Sequence, residues 1–145
     1  MDHAFPILMR YVHIVSAVIA VGGSAFIAMC LLPATRLVDD SFRASLMQLV
    51  QKRFARVVWV CIGGLVISGV YNWVLLNDQY KAMGAKGNAL IGTKVLLSIV
   101  LFAVVGAQNF GLLKLKPRPY LVLNLHLAAA VILLAAILRH FRLTG

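Results

Sequence analysis

Three histidines and one lysine are the side chains of this chain best suited to chemistry, because all four stand in or beside long apolar stretches. They are His13, Lys94, His126 and His140. Imidazoles from facing helices can ligate the iron of b-type haem from its two sides, and a lysine can neutralise a haem propionate. His13 and His140 are the first candidate pair of axial ligands, His126 is the alternative second ligand, and Lys94 would bind the propionate.

Sulfur-containing side chains suggest a second kind of site, one for copper. Met29, Cys30 and Cys61 lie in the same apolar stretches as His126. Thioether and thiolate ligands suit Cu(I), and imidazole suits both oxidation states of copper. Met and Cys are also common packing residues, so the alternative is that they only fill the interior.

Other classes of chemistry have no support in the sequence. The acids are Asp2, Asp39, Asp40 and Asp78, all outside the apolar stretches, which argues against paired-carboxylate catalysis and carboxylate-driven proton pumping. The sequence holds no Ser-His-Asp arrangement, phosphate-binding loop, dinucleotide fingerprint or CxxC pair. The net charge of +10 is not joined to an aromatic and basic nucleic-acid motif, so we predict no nucleic-acid partner.

Membrane helices are the elements that must position these residues. Of the 145 residues, 62% are hydrophobic and 12% are charged, whereas a soluble domain has about a quarter charged residues. Four predicted helices, at about residues 11–32, 42–76, 93–113 and 120–140, each contain an apolar stretch long enough to cross a bilayer. The second is predicted to begin outside the membrane, and its apolar part is about residues 57–76. Residues 77–92 carry glycine and Asn–Asp turn signals and are predicted to form a loop. The sequence therefore predicts an all-α integral membrane protein, one up-down bundle of four transmembrane helices.

Basic residues are distributed unevenly between the two ends of this predicted bundle. The links at residues 34–56 and 114–119 carry more Lys and Arg than the opposite end does. In membrane proteins such residues collect in cytoplasmic loops. We therefore predict a multi-pass protein in the lipid bilayer of a bacterial inner membrane, with both termini on the periplasmic side.

Counting residues from the middle of each predicted helix places several polar residues at a similar depth near the end of the bundle that holds the termini. We call this depth the outer polar level. His13 and Lys94 both fall roughly 12 Å from the midplane toward the termini, and His140 falls at about 15 Å. Asn72 lies at a similar depth, with Tyr71 beside it. These five residues are predicted to share one site near the outer face.

An inner polar level lies on the other side of the midplane. His126 falls there at roughly 6 Å, at a depth similar to that of Cys61. His13 and His126 are therefore about 18 Å apart along the bundle, too far to ligate one iron. His126 and His140 are expected to share an inward face of the last helix.

Three of the predicted helices carry a pattern that resembles a known membrane family. The first has a histidine near its start, Gly-Gly in its middle and Pro at its end. The second has an aromatic and basic start followed by Ser-Gly and Tyr-Asn, and the third opens with a lysine and has an asparagine near its end. The stretches are VHIVSAVIAVGGSAFIAMCLLPA, RFARVVWVCIGGLVISGVYNW and TKVLLSIVLFAVVGAQNF. Over about residues 11–140 the chain resembles the CopD-like (copper resistance protein D) membrane domain.

The same stretches are also similar, more weakly, to HemJ-type protoporphyrinogen oxidases. Those are short four-helix proteins with a histidine in helix 1 and a lysine in helix 3, and His13 and Lys94 match that pair. This resemblance implies b haem and porphyrinogen oxidation, whereas the CopD-like resemblance implies copper transport or resistance.

Together these observations predict a membrane protein that binds b-type haem near its outer face and acts in electron transfer. It would belong to a larger respiratory complex, meet a separate redox partner protein, or form a homodimer. The alternatives are copper transport, porphyrinogen oxidation as a membrane oxidoreductase, and a cofactor-free structural subunit whose polar groups only join helices.

Overall fold

The computed structural model describes residues 4–82, 84–110, 112 and 116–144. It is built from four long helices: α1 spans Ala4–Phe26, α2 Asp40–Ala82, α3 Gly84–Asn109 and α4 Pro117–Thr144. Each contains a segment long and apolar enough to cross a membrane. The described part of the chain has no β-strand, and the predicted all-α membrane bundle of four helices is confirmed.

The end of α1 changes its winding instead of stopping. Residues Ile27–Leu31 form a π-helical turn, in which the N–H of Leu32 donates to the carbonyl of Ile27. Pro33 follows, and a proline has no N–H and clashes with the carbonyl four residues before it in a regular α-helix. The wider turn relieves this conflict. Short turns at Leu32–Ala34 and Thr35–Leu37 then lead toward α2.

α2 is much longer than a bilayer is thick. Its 43 residues extend for about 65 Å, against about 30 Å of hydrocarbon. The first half is basic and its charges are exposed, at Arg43, Lys52, Arg53 and Arg56. This agrees with the prediction that the helix begins outside the hydrocarbon, before its apolar stretch.

The loop predicted at residues 77–92 is wrong, because nearly all of this stretch is helical. α2 continues to Ala82 and α3 begins at Gly84. Gly84 has a φ of +65°, a conformation that glycine adopts readily and that costs other residues free energy. The chain can therefore reverse in a very short link. Tyr80 is buried, and Tyr80 and Ile91 both line a cavity inside the bundle that is described below. Tertiary packing therefore outweighs the weak helix propensity of the local Gly and Asn residues.

α1 and α2 pack side by side in antiparallel directions. Near the termini the ring of Phe5 meets that of Tyr71 edge-on, with centroids 5.1 Å apart. Toward the other end of the bundle, Gly23 lies against the ring of Phe54, where an added Cβ would overlap the ring. The absence of a side chain at Gly23 thus allows close approach of the two helices.

α3 and α4 complete a ring of helices. Trp59 of α2 packs against Phe110, just beyond α3, with ring centroids 5.7 Å apart, and Gly106 of α3 lies beside the same tryptophan. α3 also packs along α4, and α4 returns to contact α1. Each helix therefore contacts its neighbours in sequence and the last contacts the first, as in an up-down bundle.

The inward face of α4 differs from the one expected from the sequence. Its buried residues are Leu121, Asn124, Ala128 and Leu138. His126 and His140 are exposed, so the expectation that they face inward is wrong. The small residues 128–130 can pack in several directions, and for this reason the sequence alone did not show which stripe of α4 meets the other helices.

Apolar side chains cover the outside of the bundle. On α2, Val60, Ile67 and Val74 follow one another at seven-residue spacing, so they lie on one face, and each is about two-thirds exposed or more. Such a surface is unfavourable in water but not in lipid. The exposed apolar faces and the four spanning segments together indicate a multi-pass membrane protein in a lipid bilayer.

Candidate functional site: the outer cavity

A cavity of about 220 Å³ lies inside the bundle, toward the end that holds the N-terminus of α1 and the C-terminus of α4. All four helices contribute to its wall. His13 comes from α1, Asn72 from α2, Lys94 from α3 and Arg139 from α4. We call this space the outer cavity. In the outer cavity, polar or charged side chains from all four helices lie together.

His13 is held in the outer cavity by a serine of the neighbouring helix. Its Nδ1 lies 2.9 Å from Oγ of Ser68, and Ser68 is fully buried. The serine hydroxyl has one hydrogen, which it donates to the carbonyl of Gly64. Its oxygen therefore accepts from Nδ1–H of His13. This favours the tautomer of His13 that carries its hydrogen on Nδ1.

Ser68 also connects His13 to a second polar residue of α2. Nδ2 of Asn72 donates to the carbonyl of Ser68 at 2.8 Å. Gly64, Ser68 and Asn72 follow at four-residue spacing and lie on one face of the helix. An added Cβ at Gly64 would stand 2.6 Å from Oγ of Ser16 on α1. The glycine therefore lets α1 approach closely enough for His13 to reach Ser68.

The charged part of the outer cavity is cationic. Arg10, Lys94 and Arg139 all line it, and none of the described residues that do so is an acid. The two ion pairs found in the described chain lie elsewhere: Asp40 with Arg43 and Asp78 with Lys81. Lys94 is half-buried, whereas Arg10 and Arg139 are exposed. Cations that line a cavity without an acid beside them favour an anionic ligand.

The remaining wall of the outer cavity is apolar or aromatic. It is formed by Trp73, Leu76 and Tyr80 of α2, with Ile91 of α3 and Leu138 of α4. Leu138 and Tyr80 are buried. A site with one cationic side, one apolar side and one imidazole nitrogen suits an amphiphilic anion with a group that a nitrogen can coordinate.

The structure brings together part of the predicted outer site. His13, Asn72 and Lys94 line the same cavity, as the depth estimate from the sequence predicts. Tyr71 does not line it, because its ring packs against Phe5 instead. His140 is exposed and packs against Phe141, with ring centroids 6.0 Å apart. The predicted pair of His13 and His140 is therefore not assembled at this cavity.

The predicted copper ligands lie apart. Met29 and Cys30 are exposed on the π-helical turn, whereas Cys61 is buried within α2. His126 is exposed, and its Nδ1 lies 2.7 Å from the carbonyl of Val122 on the same helix. Within the described residues, no three His, Cys, Asp or Glu side chains are grouped in a way that could hold a metal ion. A copper role for these four residues stays a prediction.

Three residues that shape the outer cavity or hold its histidine are not among the site residues predicted from the sequence. Ser68 fixes the histidine, and Arg10 and Arg139 add charge. A local signal existed for two of them. Arg10 precedes His13 by three residues, so the two share a face of α1, and Ser68 stands four residues before Asn72 on α2. Arg139 is next to His140 in sequence. Its position at the cavity could be predicted only by knowing which face of α4 packs against the other helices.

Comparison with protein-family models, with curated proteins and with solved structures finds no match. The CopD-like and HemJ-like resemblances therefore stay predictions from the sequence. Function is inferred below from the residues of the outer cavity themselves.

Proposed function

We propose that this protein binds b-type haem in the outer cavity, with His13 as an axial ligand to the iron, and that it acts in electron transfer. The observation that carries the proposal is the bond from Nδ1–H of His13 to the buried Ser68. Metal-ligating histidines almost always donate their second ring N–H to a fixed acceptor, which orients the ring and leaves the other nitrogen for the metal. With Nδ1 bonded to the serine, Nε2 of His13 would be the nitrogen that ligates the metal.

The cations of the outer cavity supply the second feature that a haem needs. A haem carries two propionates on an otherwise apolar ring, and Arg10, Lys94 and Arg139 offer charge-assisted hydrogen bonds to carboxylates. Trp73 and Leu76 provide apolar contact for the ring. The chemistry of the residues present thus fits the group on three counts: a nitrogen ligand, carboxylate partners and an apolar wall.

When bound, the haem supplies one-electron redox chemistry. The chain's own residues set the conditions for it. Ser68 holds the His13 ring and raises its basicity as a ligand. Arg10, Lys94 and Arg139 place positive charge near the site and favour the reduced form, which carries one more electron.

The size of the outer cavity adds an expectation about binding. At about 220 Å³ it is smaller than the usual 300–1,000 Å³ of pockets for small organic ligands. Insertion of a porphyrin therefore requires the helices around Trp73 to move apart. Titration with haem should quench the fluorescence of Trp73 in a Trp59→Phe background, where it is the remaining tryptophan. A Trp73→Phe variant that retains Trp59 serves as the matched control.

The test of the proposal is the absorption spectrum of the detergent-purified protein from cells fully supplied with haem. The oxidised and dithionite-reduced forms should differ by a sharp α-band in the b-haem region, and His13→Ala should lose it. His126→Ala, which changes a histidine outside the outer cavity, should keep it. A visible spectrum without haem bands in the wild-type protein would refute the proposal.

The proposal includes a placement in the cell. The basic residues of the α1–α2 link and of the first half of α2 support a cytoplasmic position for that end of the bundle. The outer cavity and both termini would then lie toward the periplasm of a bacterial inner membrane. From there the protein would exchange electrons with a redox partner protein, as a subunit of a respiratory complex or as a homodimer.

A second candidate function uses the same two residues. His13 and Lys94 both line the outer cavity, and the HemJ-like resemblance implies that such a pair serves porphyrinogen oxidation. The carboxylates of a porphyrinogen would meet the same cations as those of haem. The electrons and protons removed from a porphyrinogen need an acceptor, such as a membrane quinone, which the assay must supply. Porphyrinogen oxidation by membranes that contain the protein and this acceptor, lost on both His13→Ala and Lys94→Ala, would favour this candidate over electron transfer alone.

A further inference from the structure

Among the described residues, the walls of the outer cavity contain one imidazole. His13 is the histidine among the described residues that line it, and none of those lining residues is Met or Cys. The α3 and α4 sides are formed by Ile91, Lys94, Leu138 and Arg139, with Ala135. A haem held by His13 would thus meet cationic and aliphatic side chains at its other surface, in place of a second imidazole.

The histidines of α4 lie on the side of that helix away from the outer cavity. Ala135, Leu138 and Arg139 mark the face toward the cavity. His126 precedes Ala135 by about two and a half helical turns, which places it on the opposite side. His140 follows Leu138 by about 200° around the helix. The side chains of His126 and His140 are exposed, as expected for positions on the far side of α4.

Local contacts keep these two rings where they are. Nδ1 of His126 lies within hydrogen-bond distance of the Val122 carbonyl, and the ring of His140 packs on that of Phe141. Ligation by either ring would need α4 to rotate by nearly half a turn. Such a rotation would take Leu138, which is 3% exposed, out of the bundle core and into lipid.

We propose that haem bound in the outer cavity has a single protein ligand at its iron, His13, and an open sixth position that takes a small neutral ligand. This rests on the proposed haem binding and goes beyond it. Asn72 lines the same cavity and is not one of the cations assigned to the propionates, so its amide could donate a hydrogen bond to a ligand held at that position. In haem proteins the polarity of this pocket decides between ligand binding and pure electron transfer.

The test is titration of the dithionite-reduced protein with carbon monoxide under anaerobic conditions. The expected result is a large shift of the Soret band that saturates at one carbon monoxide per haem. His126→Ala and His140→Ala should bind haem and carbon monoxide as the wild-type protein does. His13→Gly should lose the native spectrum and recover it when imidazole is added, which separates the role of the ligand from an effect on folding.

Three outcomes would overturn the inference. One is a six-coordinate, low-spin reduced haem that does not respond to carbon monoxide. Another is loss of that low-spin form on His126→Ala or His140→Ala. Both leave the proposed haem binding intact, so they refute the open position alone. The third is a wild-type protein that takes up no haem, which refutes the proposed function together with this inference.

Discussion

Ser68 is the residue on which the orientation of His13 depends. It is fully buried and uses each of its polar groups. Its hydroxyl accepts from His13 and donates to Gly64, while its carbonyl accepts from Asn72. A polar side chain buried in an apolar bundle costs free energy unless such bonds are made. These hydrogen bonds therefore fix the imidazole ring of His13 and also give the buried polar groups of Ser68 their partners.

The first prediction concerns this serine. Ser68→Ala removes the acceptor for Nδ1–H of His13, so the imidazole loses its fixed tautomer and orientation. Haem affinity should fall by about 10- to 100-fold, the usual cost of removing such a partner. The measurement is a haem titration of the apoprotein followed by absorption at the Soret band.

A matched serine controls for the loss of a hydroxyl in a helix. Ser24 also donates to the carbonyl four residues earlier, at 2.8 Å from that of Ala20, but it does not line the outer cavity. Ser24→Ala should bind haem with wild-type affinity. Equal affinities for the two alanine variants would show that Ser68 does not orient a ligand.

The second prediction concerns the cations. Lys94→Met removes a charge from the outer cavity, and a hydrogen bond to a charged group contributes about 1.5–3 kcal/mol. Haem should leave this variant at least about tenfold faster, measured as transfer to an excess of an apo-globin. Lys94→Arg should keep most of the affinity. The matched control is Lys81→Met, which alters an exposed lysine that pairs with Asp78 and should not change the rate of haem loss. Equal rates of haem loss from Lys94→Met and Lys81→Met would contradict a role of Lys94 in haem binding.

The sequence predicted the positions of these residues along the bundle axis better than the sides of the helices on which their side chains lie. The rise per residue is nearly constant in a helix, so counting placed His13, Lys94 and Asn72 at one level. The direction of a side chain depends on which stripe of the helix packs, and α4 has small or apolar residues all round. His140 was therefore placed at the right end of the bundle but on the wrong side of its helix.

At the scale of the elements, two glycine pairs show how α1 and α2 approach each other. Gly22–Gly23 and Gly63–Gly64 look alike in sequence. In the structure, one member of each pair lies at the contact. An added Cβ would meet atoms of the other helix at Gly23 and Gly64, and nothing within 4 Å at Gly22 and Gly63.

The third prediction uses this difference. Gly23→Ala forces the new methyl group against the Phe54 ring, so it should destabilise the bundle by about 1–3 kcal/mol, as overpacking of a tight contact does. The midpoint of thermal unfolding in detergent should fall by about 2–4 °C for each kcal/mol. Gly22→Ala is the matched control: its new methyl group meets nothing within 4 Å, so its midpoint should equal or exceed that of the wild-type protein, because alanine favours a helix over glycine by about 1 kcal/mol. Equal midpoints for the two variants would contradict the contact.

The link between α2 and α3 shows why helix ends were harder to predict than helix existence. Residues 77–92 contain the local composition of a turn, and local composition was the information available. Tyr80 and Ile91 lie within that stretch and pack at the outer cavity. Contacts between residues far apart in sequence thus extend both helices into a region whose own preference is for a loop.

At the scale of the whole molecule, the bundle has two different ends. The outer end contains the cavity with His13, and its cations there are Arg10, Lys94 and Arg139. The other end carries the first half of α2, whose basic residues are exposed. Because α2 is about twice as long as the hydrocarbon is thick, that half must lie in the aqueous phase or at the lipid headgroups.

The fourth prediction is the orientation of this molecule in the membrane. In a Cys30→Ser, Cys61→Ser background, Asp78→Cys places a thiol at the outer end of α2, and Ser45→Cys places one near its start; both positions are exposed. Since basic segments stay in the cytoplasm, a membrane-impermeant maleimide added to intact spheroplasts should label Asp78→Cys and not Ser45→Cys. After permeabilisation both should react, which controls for accessibility. Labelling of Ser45→Cys alone in intact spheroplasts would reverse the orientation and place the outer cavity toward the cytoplasm, where it would exchange electrons with partners on that side.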